Sequence, residues 1–343
     1  MRRVVAAAIA FGFFAGQVVM IGGPPEREVA RITITGSFIQ PWQLSPGARP
    51  SFEGLNGRFA RMRALGMDHV ILQWSAEFFA GAGGAAAVGS CDYFPSERAG
   101  CPGDGASVVD WLFDEADTHG FDVWVGLSRP RVGTTPEPYW SNLASDAGWM
   151  RRQAEASAAV AADLLARYAA EPRFAGLYVV PELENLSFRL VSGTPTAQLL
   201  NYGDYLRRVR SATLGNRLMI SPFVNAGARG RDDPAGWTES LRWLVERSGG
   251  LDVVALQDGF GPERHLAAHM TIERLPAWLM ATRRGIGRAE LWANIETYRQ
   301  VSPSVLEPAR PDILPTVNQQ IDLAQGLVDR MTSFSFLTYQ LPT

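Results

Sequence analysis

Apolar and polar positions follow two periods along this chain, and the periods take turns. Residues 32–40 (I-T-I-T-G-S-F-I-Q) and 69–74 (H-V-I-L-Q-W) are short and rich in β-branched or aromatic residues, as strands are. Between them, 52–66 carries apolar residues at helical spacing and stops at a glycine. The same signals then repeat. A helix is predicted over 106–120, with Val109, Leu112, Phe113 and Ala116 on one face, before a strand over 122–127. An alanine-rich helix over 146–171 precedes a strand from 174 that breaks at Pro181. Helix 196–214 precedes strand 217–223, helix 237–248 precedes strand 252–258, and a helical region over 262–286 precedes strand 291–298. A helix over 314–331 and a strand over 332–339 complete the series.

Eight strands alternating with seven helices imply a parallel sheet, and eight units is the closing number of the (β/α)8 TIM barrel. A length of 343 residues fits one such barrel with long loops. An open doubly wound sheet is the alternative, but it normally carries a glycine-rich turn after its first strand. The turn here reads S-F-I-Q-P-W. The expected organisation is one α/β TIM-barrel domain over 30–343, with the last helix missing because the sequence stops soon after the eighth strand.

Composition narrows the chemistry. All 32 basic residues are arginine, so Schiff-base aldolase chemistry, pyridoxal phosphate attachment and the P-loop, which all need lysine, are excluded. A formal net charge of -3 gives no reason to expect nucleic acid. Residues 1–23 open with M-R-R and an apolar run, the pattern of an export signal. Its length suits a cleaved signal peptide or an uncleaved N-terminal membrane anchor equally. Either places the globular part in the periplasm or outside the cell, or attached to the inner membrane. Cys91 and Cys101 bracket one loop, which an oxidising compartment would let a disulfide close; two unpaired thiols are the alternative.

In such barrels the chemistry collects at the C-terminal ends of the strands. Two apolar strands there end in carboxylates: F-A-G-L-Y-V-V-P-E-L-E-N delivers Glu182 and Glu184, and L-W-A-N-I-E-T-Y delivers Glu296. Alternation puts Leu291, Ala293 and Ile295 on one face and Trp292, Asn294 and Glu296 on the other. Further strand ends offer Gln40 and Trp42, Gln73 and Trp74, Asn225, Gln257 and Asp258, and Tyr339. Aromatic faces beside amides and carboxylates suit sugar rings, and paired carboxylates supply the acid and nucleophile of glycoside hydrolysis. Arg129 and Arg131 either bind acidic sugars or are solvated loop charges. No cofactor and no metal is expected. His265 and His269 lack the glutamate of a zinc motif, His69 and His119 read as structural, and Ser221 has no nucleophile-elbow glycines.

The segments G-S-F-I-Q-P-W, G-M-D-H-V-I-L-Q-W, G-L-Y-V-V-P-E, A-L-Q-D-G-F-G and L-W-A-N-I-E-T-Y resemble a family of exported bacterial proteins described as glycoside-hydrolase-type TIM barrels of unknown function. The resemblance covers most of 33–339 and implies a barrel akin to the large clan of retaining glycosidases. In that clan the acid/base follows strand four and the nucleophile follows strand seven. Carried over, Glu182 matches the acid/base and Glu296 the nucleophile. The Asn-Glu pair common in the clan is absent: Pro181 precedes Glu182, and Asn185 follows Glu184. The strand-four role therefore stays open between Glu182 and Glu184, with the deeper position favouring Glu182 and leaving Glu184 to bind sugar or steady its loop. The expected function is a retaining glycoside hydrolase or transglycosylase acting on a cell-surface or secreted polysaccharide. The alternative is a carbohydrate-binding protein on the same scaffold.

Overall fold

The computed structural model of the chain describes residues 33–41, 52–80, 86–90, 93–100, 107–132, 135–136, 143–226, 233–261, 270–302, 305–308 and 314–336. Eight parallel strands close into one barrel. They are β1 (Ile34–Ile39), β2 (His69–Leu72), β3 (Asp122–Gly126), β4 (Phe174–Val179), β5 (Leu218–Ile220), β6 (Val253–Gln257), β7 (Glu290–Glu296) and β8 (Arg330–Phe334). Each pairs with its neighbours in the chain, and β1 closes the ring by pairing Ser37 with Ser333 of β8 and Ser37 with Val70 of β2. The helices between them are α1 (Phe52–Ala64), α2 (Val108–His119), α3 (Ala147–Tyr168), α4 (Ala197–Ala212), α5 (Pro234–Ser248), α6 (Leu275–Gly285) and α7 (Leu314–Ala324). The TIM-barrel expectation is met.

Local chemistry sets the helix starts. Asp146 caps α3 by accepting from the N–H groups of Gly148 and Trp149 at 2.7 and 3.0 Å. Asp233 caps α5, where Pro234 occupies the first turn and has no N–H to leave unsatisfied. The expected helix over 314–331 instead ends at Ala324, because Gly326 turns the chain with φ 78, and β8 starts earlier than expected, at Arg330.

Strand parity divides the core in two. Val70, Val123, Val125, Leu177, Val254, Leu291 and Ile295 pack outward against the helices. Phe38, Ile71, Trp124, Tyr178, Met219, Val253 and Trp292 fill the barrel interior. Burying each large side chain contributes about 1.5–3 kcal/mol, so this plug rivals the whole net stability of a domain, about 5–15 kcal/mol. At its floor the His69 ring lies 4.8 Å from that of Trp292, and Trp292 meets Trp124 edge-on at 5.9 Å. Arg330 and Arg217 cover the same two indoles at 5.6 and 5.1 Å.

The rim holds structure that periodicity did not announce. A four-stranded sheet joins Ala86–Ser90, Ala76–Ala80, Ser128–Val132 and Thr135–Pro136 in that order. A hairpin pairs Tyr298–Ser302 with Val305–Pro308 directly after β7. The leader 1–23, Trp42, Cys91, Cys101, His265, His269 and Tyr339 lie outside the described residues, as does the side chain of Arg131. Among the described residues no helix is long and apolar enough to cross a membrane.

Candidate active site

After β4 the backbone runs on toward the mouth of the barrel. Phe223 N–H donates to the carbonyl of Leu183 at 3.1 Å, and Glu184 bridges Phe223 as a parallel partner. Tyr202 on α4 donates its hydroxyl to the carbonyl of Pro181 at 2.6 Å and so anchors the residue before Glu182. Glu182 shares the inward parity of Tyr178 and Val180 and keeps part of its surface open. Burial first, and the charge of Glu296 after it, push the Glu182 carboxyl up to about 7, against a hydrogen bond from Gln257. The Gln257 amide is itself held by donating to the carbonyl of Ser221 at 2.9 Å.

Glu296 ends β7 and is buried, at 4% exposure. Its Oε2 accepts from Gly261 N–H at 2.8 Å and its Oε1 from the Tyr298 hydroxyl at 3.2 Å. The Gly259 N–H also bonds this carboxylate. Burial nevertheless dominates and raises Glu296 to about 7. The segment D-G-F-G after β6 is built for this contact. Gly259 sits at φ 75, a conformation side chains resist, and a Cβ on Gly261 would lie 2.5 Å from the Tyr298 ring. Asp258, at the start of that segment, is buried and carries a pKa well above the ordinary carboxylate range, through burial and then the Glu296 charge.

Polar groups continue around the ring. Asn294, in register with Gln257 and Thr332, donates to the Ser221 hydroxyl at 3.3 Å while its Oδ1 is buried without a partner among the described residues. Gln73 Oε1 and the Trp74 indole N–H are likewise buried and unpartnered. Gln40 follows β1 and is half-buried. The structure therefore brings Glu182, Gln257, Asp258, Asn294 and Glu296 together around the C-terminal ends of β4 to β7.

Three expected sugar ligands are engaged by the protein itself. Glu184 accepts from Leu186 and Ser187 N–H at 2.5 and 2.9 Å and from the Asn225 side-chain amide at 3.4 Å. Asn225 in turn donates its backbone N–H to Asn185 Oδ1 at 2.7 Å. These two residues clamp the loop after β4 to the loop after β5, the arrangement expected of Glu184 in its loop-steadying role. Trp74 is 3% exposed, with the Arg129 guanidinium 3.9 Å from its ring centroid, so that face is taken. Arg129 is neither a solvated charge nor a free one: it pairs with Glu77 at 2.7 Å, from the adjacent strand of the rim sheet.

Tyr298, Gly259, Gly261 and Glu77 were not singled out from the sequence. Tyr298 was findable, since E-T-Y puts two side chains on one face of an extended chain. The glycines carry no signal until the ring they must admit is known.

Comparison with known proteins follows the fold. The sequence signature of the family described as Domain of unknown function (DUF4434) matches residues 34–343. No curated protein matches. A presumed alpha-L-fucosidase from Bacteroides thetaiotaomicron is similar in structure at a TM-score of 0.63 and 19% identity, covering 98% of this chain and 94% of that one. A thermostable mutant of a xylanase from Cellvibrio japonicus gives 0.52 and 11%, over 91% and 90%. An intracellular xylanase from Thermoanaerobacterium saccharolyticum gives 0.50 and 12%, over 92% and 90%. These likenesses are of fold.

Proposed function

We propose that this chain, which belongs to the family described as Domain of unknown function (DUF4434), is a glycoside hydrolase working by a two-glutamate, retaining mechanism. The observation that carries the reading is the pair of Glu182, half-buried just past β4, and Glu296, buried at the end of β7, each raised to about 7, with the Glu296 charge acting on Glu182. A raised carboxyl beside a second carboxylate is what the acid role needs, and the second serves as nucleophile once ionised. Their surroundings divide the roles. Glu296 has N–H and O–H donors on both oxygens, which favours the anion and suits a nucleophile. Glu182 has one amide partner, so less donor support holds its anion, and burial favours the protonated acid that assists the leaving group.

In this mechanism Glu296 attacks the anomeric carbon while Glu182 gives its proton to the departing oxygen. Glu182 then takes a proton from the water that releases the glycosyl group from Glu296. Gln257 steadies the Glu182 carboxylate formed in the first step. The unpartnered amide oxygens of Gln73 and Asn294 suit sugar hydroxyls. The export signal read at residues 1–23 points to an oligosaccharide or polysaccharide outside the cytoplasm.

The test is a panel of activated aryl glycosides that includes xylosides and α-L-fucosides, the sugars named for the structurally similar proteins. Glu296→Ala should abolish turnover and recover it with azide. Glu182→Ala should slow poor leaving groups far more than good ones. The first-formed product should keep its anomeric configuration by NMR. Full activity in both variants would remove these residues from the chemistry, and binding without turnover by wild type would leave a carbohydrate-binding protein.

A further inference from the structure

The segment after β6 serves two buried carboxyls at once. Asp258 is 1% exposed. Its Oδ1 accepts from the backbone N–H groups of Glu296 and Phe260, both at 3.3 Å. Its Oδ2 is buried with no hydrogen-bond partner among the described residues. Glu296 is treated differently, with donors on both of its oxygens. Two adjacent carboxyls removed from water cannot both be charged at low cost. The charge settles where the donors are, and the unsupported oxygen is the one that tolerates a proton.

We propose that Asp258 is a neutral, proton-bearing positioning residue for Glu296, fixing its backbone through Oδ1 and leaving the negative charge of the pair to it. The proposal rests on the reading of Glu296 as nucleophile. The raised pKa of Asp258 runs in the same direction. The titratable groups around the pair are Glu296 from β7, Tyr298 from the rim hairpin, and Glu182 from the segment after β4, which feels the Glu296 charge. A neutral neighbour also matters in turnover. When Glu296 gives up its charge in forming the glycosyl-enzyme, no uncompensated charge is left on Asp258 beside it.

The experiment uses the full chain with Asp258→Asn and Asp258→Ala. Asparagine keeps an acceptor for the Glu296 N–H and mimics the neutral acid, whereas alanine removes both. Asp258→Asn should hold kcat within about threefold and leave the acid limb of the pH–rate profile in place, because the neighbour of Glu296 was already neutral. Asp258→Ala should lower kcat at least about tenfold with little change in KM. A second arm needs no turnover. Unfolded Asp258 releases its proton near about pH 4 while the folded residue keeps it, so as pH rises wild type carries a loss of stability from Asp258 that Asp258→Asn lacks. The Tm advantage of Asp258→Asn should therefore widen from about pH 5 to about pH 8. If that variant does not fold, infrared detection of a protonated carboxyl in Glu182→Gln at about pH 8, where Glu296 is mostly ionised, takes its place. An acid limb displaced downward in Asp258→Asn, a constant Tm difference, or no protonated carboxyl would overturn the assignment. Absence of any turnover by wild type would sink the glycosidase reading alone, with the stability arm still deciding on Asp258.

Discussion

Glu182 and Glu296 end comparable strands yet meet different surroundings, and the difference has consequences in solution. The unfolded chain ionises a glutamate near about pH 4.3, whereas folded Glu182 holds its proton to about 7. The folded state thus binds more protons between those values, and stability falls as pH rises through that window. Glu182→Gln should therefore equal wild type near about pH 4 and exceed it by about 1–3 kcal/mol near about pH 7, read by urea denaturation at both. Equal stability at both pH values would mean that the carboxyl is not desolvated. Under the proposed mechanism the productive form has Glu296 ionised and Glu182 protonated. With both near 7, that form is most populated around neutrality, and the activity profile should be a narrow bell there.

At the scale of elements, the loop after β4 is tied down by one side chain. Glu184 accepts from two N–H groups of its own turn and from Asn225 across the gap. Removing such a cap costs about 1–2 kcal/mol. Glu184→Ala should lose about that much stability and slow good and poor leaving groups alike, since proton donation by Glu182 is untouched. A leaving-group dependence in this variant would transfer the acid/base role to Glu184. The rim sheet gives a companion case. Glu77 is nearly buried beside Arg129, and breaking a buried pair costs about 3–5 kcal/mol, an upper figure for a pair that keeps some exposure. Arg129→Gln should lower Tm while leaving the salt dependence of substrate binding unchanged. Flattened salt dependence would restore Arg129 as a ligand for acidic sugars. Neither interaction was legible in the sequence. The apolar period locates a strand but not its company, so Ala76–Ala80 and Ser128–Val132 passed for loop until their pairing brought Glu77 beside Arg129.

At the scale of the whole molecule, the barrel was readable because its signals repeat: every β–α unit carries a short apolar run, a helical stripe and a stop. Glu296 was equally readable, since parity alone turned it inward from Leu291 and Ile295. The register of β8 was not. A helix predicted to 331 absorbed the first residues of the strand, and a single glycine, Gly326, decided the boundary. The cradle around Glu296 depends on contacts between β6, β7 and the hairpin after it, which are far apart in the chain and have no local pattern. The plug of Trp124, Trp292 and His69 has a bearing on traffic. A barrel interior filled by these packed rings leaves the strand ends as the way in, so under the proposed function a sugar, the water that follows it and the released product would pass the same mouth in turn. Under the proposed retaining mechanism, departure of the first product would gate admission of the water. An acceptor sugar that arrives sooner would take the glycosyl group instead, so that transfer competes with hydrolysis as acceptor concentration rises.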